Sequence, residues 1–251
     1  MKLADSHTHL YASEFDEDRE AVFLRAMDNG VEKMFLPAID REHHEHMISL
    51  AEWKPDHCFP MMGLHPTSVG EGYRDELAVV EDYLSRSRAS FCGIGEVGID
   101  LYWDKTWVSE QVAALELQFG LAIKYDLPLV IHTRNSMDMV IELLEKRSDP
   151  RLRGIFHCFG GNKRQAERVI NLGFHLGIGG VLTYRNSGLQ QVVAAVGLTH
   201  LVLETDAPWL PPVPHRGHRN EPGYLPLVAH RLGEALEIPV EDVSQITYGN
   251  T

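Results

Sequence analysis

Eight short apolar runs recur along this chain, each followed by a longer amphipathic stretch, and few architectures accept that alternation. The runs cover residues 2–9, 32–38, 59–64, 91–97, 129–132, 154–158, 174–178 and 201–205. Runs of that length suit strands buried on both faces. The stretches between them, among them 16–29, 76–87, 108–125, 137–146 and 164–172, place apolar residues at helical spacing. Two of them close on a glycine that feeds the next run, Asn29-Gly30 and Leu172-Gly173.

Eight strand–helix units in 251 residues match the size and period of a TIM (β/α)8 barrel, an α/β fold, expected here as a single domain over 1–251. The rival is an open doubly wound sheet, which would carry a Gly-rich phosphate loop after its first strand. Here the first run ends in His7-Thr8-His9 instead. The Pro-rich stretch 208–214 follows the eighth run and reads as a loop over the barrel mouth, not a domain boundary.

A net charge of −13 excludes the broad basic face that grips long nucleic acid, so any such role must use a local patch or metals. Cys58, Cys92 and Cys158 form no CxxC pair and lie in apolar runs, which reads as buried, reduced thiols. The opening MKLADSHTHL has no leader-like apolar stretch, and no run approaches the roughly 18 apolar residues of a membrane span. The expectation is a cytoplasmic chain with no membrane partner.

The chemistry gathers at the ends of the runs. His7 and His9 are two apart on the first run, so they project from one face. Glu96 closes the fourth run (GIGEVGID), His132 the fifth (LVIHTR), His157 the sixth (IFHCF), and Asp206 follows the eighth (LVLETDAPW). Singly, each has an ordinary reading: a hydrogen-bonded core histidine, a buried ion-pair partner, a turn cap. Burying such groups is costly, however, unless charge or hydrogen bonds satisfy them. At C-terminal strand ends all of them converge on the face where barrel enzymes place their sites.

Four imidazoles and two carboxylates exceed the three protein ligands of a catalytic zinc. They suit two divalent ions about 3.5–4 Å apart with a bridging carboxylate. Glu96, midway in the strand order, is the expected bridge, and Asp206 the residue that binds one ion and orients the attacking water. These two are the candidate catalytic residues. Imidazole and carboxylate accept Zn, Mn, Co or Ni, and Mg with waters completing the shell. No GxSxG or catalytic-cysteine pattern competes.

Arg134 lies two residues past His132, on the same side, where a guanidinium can clamp phosphate. Pairing with a ligand carboxylate is the alternative. Residues 215–220 (HRGHRN) concentrate positive groups on an acidic chain, and Tyr11, Tyr102, Trp103 and Trp209 follow runs on the mouth side, where rings can stack a base or simply pack. Glu204, two before Asp206, faces the barrel one layer deeper and is expected to support a ligand.

The same strand-end motifs closely resemble the TatD-type metal-dependent deoxyribonucleases, a branch of the amidohydrolase-like barrels. The matching stretches are DSHTHL at 5–10, GLHP at 63–66, GEVGID at 95–100, IHTR at 131–134, HCFGG at 157–161 and LETDAPWL at 203–210, in family order across nearly the whole chain. The resemblance implies a TIM barrel, two divalent metals, and hydrolysis of DNA phosphodiesters, often by trimming from the 3′ end. Carried over by position, His7, His9, Glu96, His132, His157 and Asp206 are the metal-site residues, and His65 is the family's additional active-site histidine. Family members continue past the position of Tyr248-Gly249-Asn250-Thr251 into a last helical turn, so an extreme C-terminal segment is expected to be missing here. DNA ends or short oligonucleotides are the expected partners of a monomeric chain. Two other classes remain as alternatives: a related barrel that hydrolyses a lactone, cyclic amide or phosphotriester, and a metal-stabilised binding scaffold.

Overall fold

The computed structural model describes residues 1–87 and 90–251. Its elements run β1 (Leu3–Asp5), α1 (Arg19–Asp28), β2 (Val31–Pro37), α2 (Arg41–Trp53), β3 (Cys58–Met62) and α3 (Tyr73–Ser87). They continue β4 (Gly93–Asp100), α4 (Val108–Tyr125), β5 (Leu129–Arg134), α5 (Met137–Arg147), β6 (Gly154–Phe156) and α6 (Lys163–Asn171). The last are β7 (Phe174–Ile178), α7 (Leu189–Val196), β8 (Leu201–Leu203), α8 (Leu225–Leu236) and α9 (Val240–Asn250).

All neighbouring strands pair in parallel, in the order β1 to β8. The circle closes between the ends of the sheet: Ser6 N donates to Leu203 O at 2.9 Å, and Asp206 N to His7 O at 2.9 Å. This is the TIM barrel expected from the alternation. Helices cover the outside, so strand residues on both faces are apolar: Met34, Leu36, Ile94, Ile131, Phe156 and Leu203 are all buried. Past α8, helix α9 packs against β1 and β8. There Ser244 Oγ donates to Lys2 O at 2.6 Å, and Asn250 Nδ2 to Leu201 O at 2.8 Å.

Five strands, β1, β2, β3, β6 and β8, stop earlier than the apolar runs suggest, and at β1 and β6 the cause is local. β1 ends at Asp5, not His9, because the Asp5 carboxylate takes the His7 N–H (3.3 Å). β6 ends at Phe156, where Glu204 Oε1 takes the Cys158 N–H at 2.5 Å. Cys158 and Asp206 adopt left-handed φ values of 44° and 57°, which turn the chain out of the ladder. β4, in contrast, runs on to Asp100 with Gly98 opposite His132. A Cβ at Gly98 would lie 2.0 Å from His132 O, so only glycine permits that pairing. The three cysteines are free; Cys58 is buried and the other two partly so.

Candidate metal centre

The residues singled out at the strand ends meet at one point in the mouth, around the carboxylate of Glu96. Glu96 sits within β4, not at its end, and is almost fully buried. Each of its oxygens faces a different set of imidazoles. Oε2 lies 3.1 Å from His7 Nε2 and 3.5 Å from His9 Nε2. Oε1 lies 2.8 Å from His132 Nδ1, 3.3 Å from His157 Nε2 and 3.3 Å from His65 Nε2. Asp206 Oδ1 approaches from β8, 3.7 Å from His7 Nε2 and 3.8 Å from His9 Nε2.

The proton positions follow from the partners of the other ring atoms. Tyr11 Oη donates to Pro37 O at 2.6 Å, so it accepts from His9 Nδ1 at 2.8 Å. That leaves His9 Nε2 a bare lone pair, 3.1 Å from His7 Nε2. His7 Nε2, His9 Nε2 and Glu96 Oε2 thus gather into a donor set that suits a cation. Ligands about 2.0–2.1 Å from a tetrahedral ion stand roughly 3.3 Å apart, which matches the spacing of His7, His9 and Glu96. His7, His9 and Glu96 therefore form one group fit to hold a metal, with His7, His157 and Asp206 a second overlapping one.

His65 presents the opposite case. Thr67 N donates to its Nδ1 at 3.2 Å, and Thr67 Oγ1 stands 2.6 Å from the same atom. The ring proton is thus on Nε2, which donates toward Glu96. Although His65, Glu96 and His132 also cluster tightly enough for a metal, we read His65 as a hydrogen-bond donor into the site.

Burial and charge set the titration of the group. Burial drives His7 well below, and His9 below, the usual imidazole range. Burial opposes charge on His157 too, but Glu96 and Glu204 outweigh it and raise that ring to about 10. At His132 the bonds to Asp100 and Glu96 likewise overcome burial and raise the ring. Burial alone would raise Glu96; His65, His157 and His7 outweigh it and hold the carboxyl well below its ordinary value. Asp206, with burial dominant, is pushed up to about 7.

Around these lie residues that orient them. Glu204 is fully buried, with Oε1 3.3 Å from His157 Nδ1. Its carboxylate fills the space where Gly177 lacks a side chain: a Cβ there would come 2.2 Å from Oε2. Sequence reasoning missed Asp100, whose Oδ2 lies 2.9 Å from His132 Nε2. It also missed Asp5, which accepts from Thr205 N at 2.9 Å and Thr205 Oγ1 at 2.5 Å. The available signal for both was position: an acid within DSHTHL and another closing GEVGID.

Several expected substrate handles take other partners. Tyr11 is buried and orients His9, so it is no stacking platform. In the 215–220 cluster Arg219 pairs with Asp18 at 2.7 Å, Arg216 lies over the Tyr184 ring at 4.0 Å, and His215 stacks on Tyr224 at 3.8 Å. Arg134 is exposed, its guanidinium 3.8 Å above the Tyr102 ring. Trp209 edges His9 at 5.0 Å.

The profile of the TatD related DNase family matches residues 4–251. The metal-dependent hydrolase YjjV of Escherichia coli (strain K12) is 34% identical over 252 residues, spanning 100% of this chain and 96% of that protein. The crystal structure of the TatD homologue YjjV superposes with a TM-score of 0.93, covering 99% of this chain and 96% of that one. The metal-dependent hydrolase YabD of Bacillus subtilis is 32% identical across 99% of this chain and 96% of its own length. TatD of Erwinia tasmaniensis, a 3′-5′ ssDNA/RNA exonuclease, is 30% identical over 92% of this chain and 90% of its own. Barrels of other chemistry stand much further away: a Listeria monocytogenes lactonase matches at 12% identity and TM-score 0.66, a likeness of fold alone.

Proposed function

The chain belongs to the TatD related DNase family of metal-dependent hydrolases, and from that premise we propose that it cleaves DNA phosphodiesters, trimming single strands from the 3′ end. The observation that carries the reading is Glu96, each of whose oxygens addresses its own histidines. In this reading His7, His9, Asp206 and Glu96 would hold one divalent ion, and His132, His157 and Glu96 would hold another. Bound there, such ions would supply Lewis acidity toward phosphoryl oxygen and acidify a water.

The protein's own groups do the rest. Asp206, whose Oδ1 stands 3.7 Å from His7 Nε2 and 3.8 Å from His9 Nε2, is placed to orient the attacking water and take its proton. His65 Nε2–H donates toward Glu96 and helps orient that carboxylate. Arg134, held flat by Tyr102, offers its guanidinium to a phosphate oxygen. Glu204 and Asp100 keep His157 and His132 in register. No helix among the described residues is long and apolar enough to cross a membrane; action in the cytoplasm, as a monomer, is part of the same proposal.

The test is hydrolysis of 3′- and 5′-labelled single strands with Mg, Mn, Co, Ni or Zn. The expected result is metal-dependent release of the 3′ label as mononucleotide before the 5′ label shortens. Turnover of lactones or cyclic amides with inert oligonucleotides would overturn it.

A further inference from the structure

Beside the Glu96 cluster lies a cavity of about 240 Å³ between the segments 66–70 and 100–107. It adjoins the centre directly: Asp100 lines it while binding His132, and Pro66 and Thr67 follow His65. Its polar walls are already engaged. Gln111 accepts from Asp100 N at 2.8 Å, Asp100 Oδ1 accepts from Tyr102 N at 2.8 Å and Trp103 N at 3.2 Å, and Ser68 Oγ donates to Asp40 at 2.9 Å. What remains for a ligand is the indoles of Trp103 and Trp107. Trp103 is 69% exposed, more than any other exposed large hydrophobic residue among those described.

The charges sort what can enter. The lining includes the carboxylates of Asp100 and Asp104 and no Lys, Arg or His, so a phosphate is repelled inside. The cation is at the lip, where Arg134 lies over Tyr102 at 3.8 Å and Trp103 at 5.3 Å. A nucleotide divides along the same line, into an anionic phosphate and an uncharged planar ring.

We propose that this cavity receives the unpaired base of the terminal nucleotide, stacked on Trp103, while Arg134 holds the adjoining phosphate. The proposal rests on the nuclease reading and gives its use of single strands a physical cause: a base must leave its partner to enter the cavity.

Two measurements test it separately from the reading beneath it. Binding comes first, on the metal-loaded protein, by titration with deoxyadenosine monophosphate and with deoxyribose 5-phosphate, which lacks the base. A stacked base contributes about 1–3 kcal/mol, roughly 5- to 150-fold in affinity. The wild type should prefer the nucleotide by that factor, Trp103→Phe should keep most of it, and Trp103→Ala should lose it. Equal affinity for the two ligands, or a preference unchanged in Trp103→Ala, overturns the proposal whether or not the protein cleaves DNA. The second measurement is kcat/KM on strands ending in a normal or an abasic residue. The abasic end should cost the wild type a similar factor and Trp103→Ala nothing further. Equal loss in both proteins, with DNA cleavage intact, removes the subsite and leaves the nuclease standing.

Discussion

The two oxygens of Glu96 look onto unlike surroundings. On the Oε2 side, His7 and His9 are buried and driven toward neutrality, and their Nε2 atoms converge at 3.1 Å. On the Oε1 side, His132 and His157 are held toward the cationic form by Asp100, Glu204 and Glu96. One side gathers neutral imidazoles about a carboxylate oxygen; the other holds its imidazoles against acids that favour their protonated form. The difference teaches that the imidazole nitrogens of the first side are open to a metal, whereas a metal entering the second must displace protons from its imidazoles.

The largest expected effect tests whether the sides share one hinge. Glu96→Gln removes the charge common to both, so activity should fall roughly 10³- to 10⁴-fold with both ions lost. Retention of full metal content, measured by elemental analysis, would break the idea of a bridge. Asp206→Asn acts first on the Oε2 side, where its carboxylate faces His7 and His9. It should lower kcat roughly 10²- to 10⁴-fold while KM changes little; near-normal kcat in a fully metallated variant would remove Asp206 from the chemistry. Asp100→Asn addresses the Oε1 side through His132, and should weaken metal binding there about 10- to 100-fold. Equal weakening on both sides would erase the contrast. Arg134→Ala, outside both, should raise KM about tenfold with a smaller change in kcat, and an unchanged KM would leave the arginine a surface cation.

The smallest effect is a pH signature of the metal-free protein. His157 has a folded pKa near 10, above its unfolded value of 6.5. Its stabilisation is present below pH 6.5 and is lost as pH rises toward 10. His7 and His9 are shifted downward, so below pH 6.5 the unfolded chain takes up protons that the folded one refuses, and stability falls. On the acid side this is opposed by Asp5 and Asp206, raised to about 8 and 7, so the clear expectation is a melting temperature after chelation that declines as pH rises above about 6.5. The alkaline decline should shrink in His157→Gln, and an identical profile in that variant would sink the assignment.

Much of this was legible in the sequence because strand phase is. Apolar runs fix where strands lie, and a polar residue at their C-terminal ends has one place to go; that is how His7, His9, Glu96, His132, His157 and Asp206 could be grouped. Asp100 was hidden because the apolar run stops at Val97 while the ladder continues through Gly98. The continuation depends on a glycine fitting against a neighbouring carbonyl, which no hydropathy pattern encodes. Tyr11 and the 215–220 cluster were given substrate roles by where they follow a strand. The partners that Tyr11 and Arg219 take, Pro37 and Asp18, come from other parts of the barrel. Contacts between loops depend on the closed barrel, so local sequence does not report them.

The Asp5–Thr205 contact carries a consequence for how the protein comes into being. It spans 200 residues of sequence, and it joins the segment bearing His7 and His9 to the one bearing Asp206. During synthesis the first segment emerges long before the second, since domains grow from the N-terminus at about 5–20 residues per second. Closing so long a loop is entropically unfavourable until the intervening units have packed. The donor set on the Oε2 side is thus completed only when the barrel is. A nascent chain still attached to its ribosome has two histidines waiting and no finished centre.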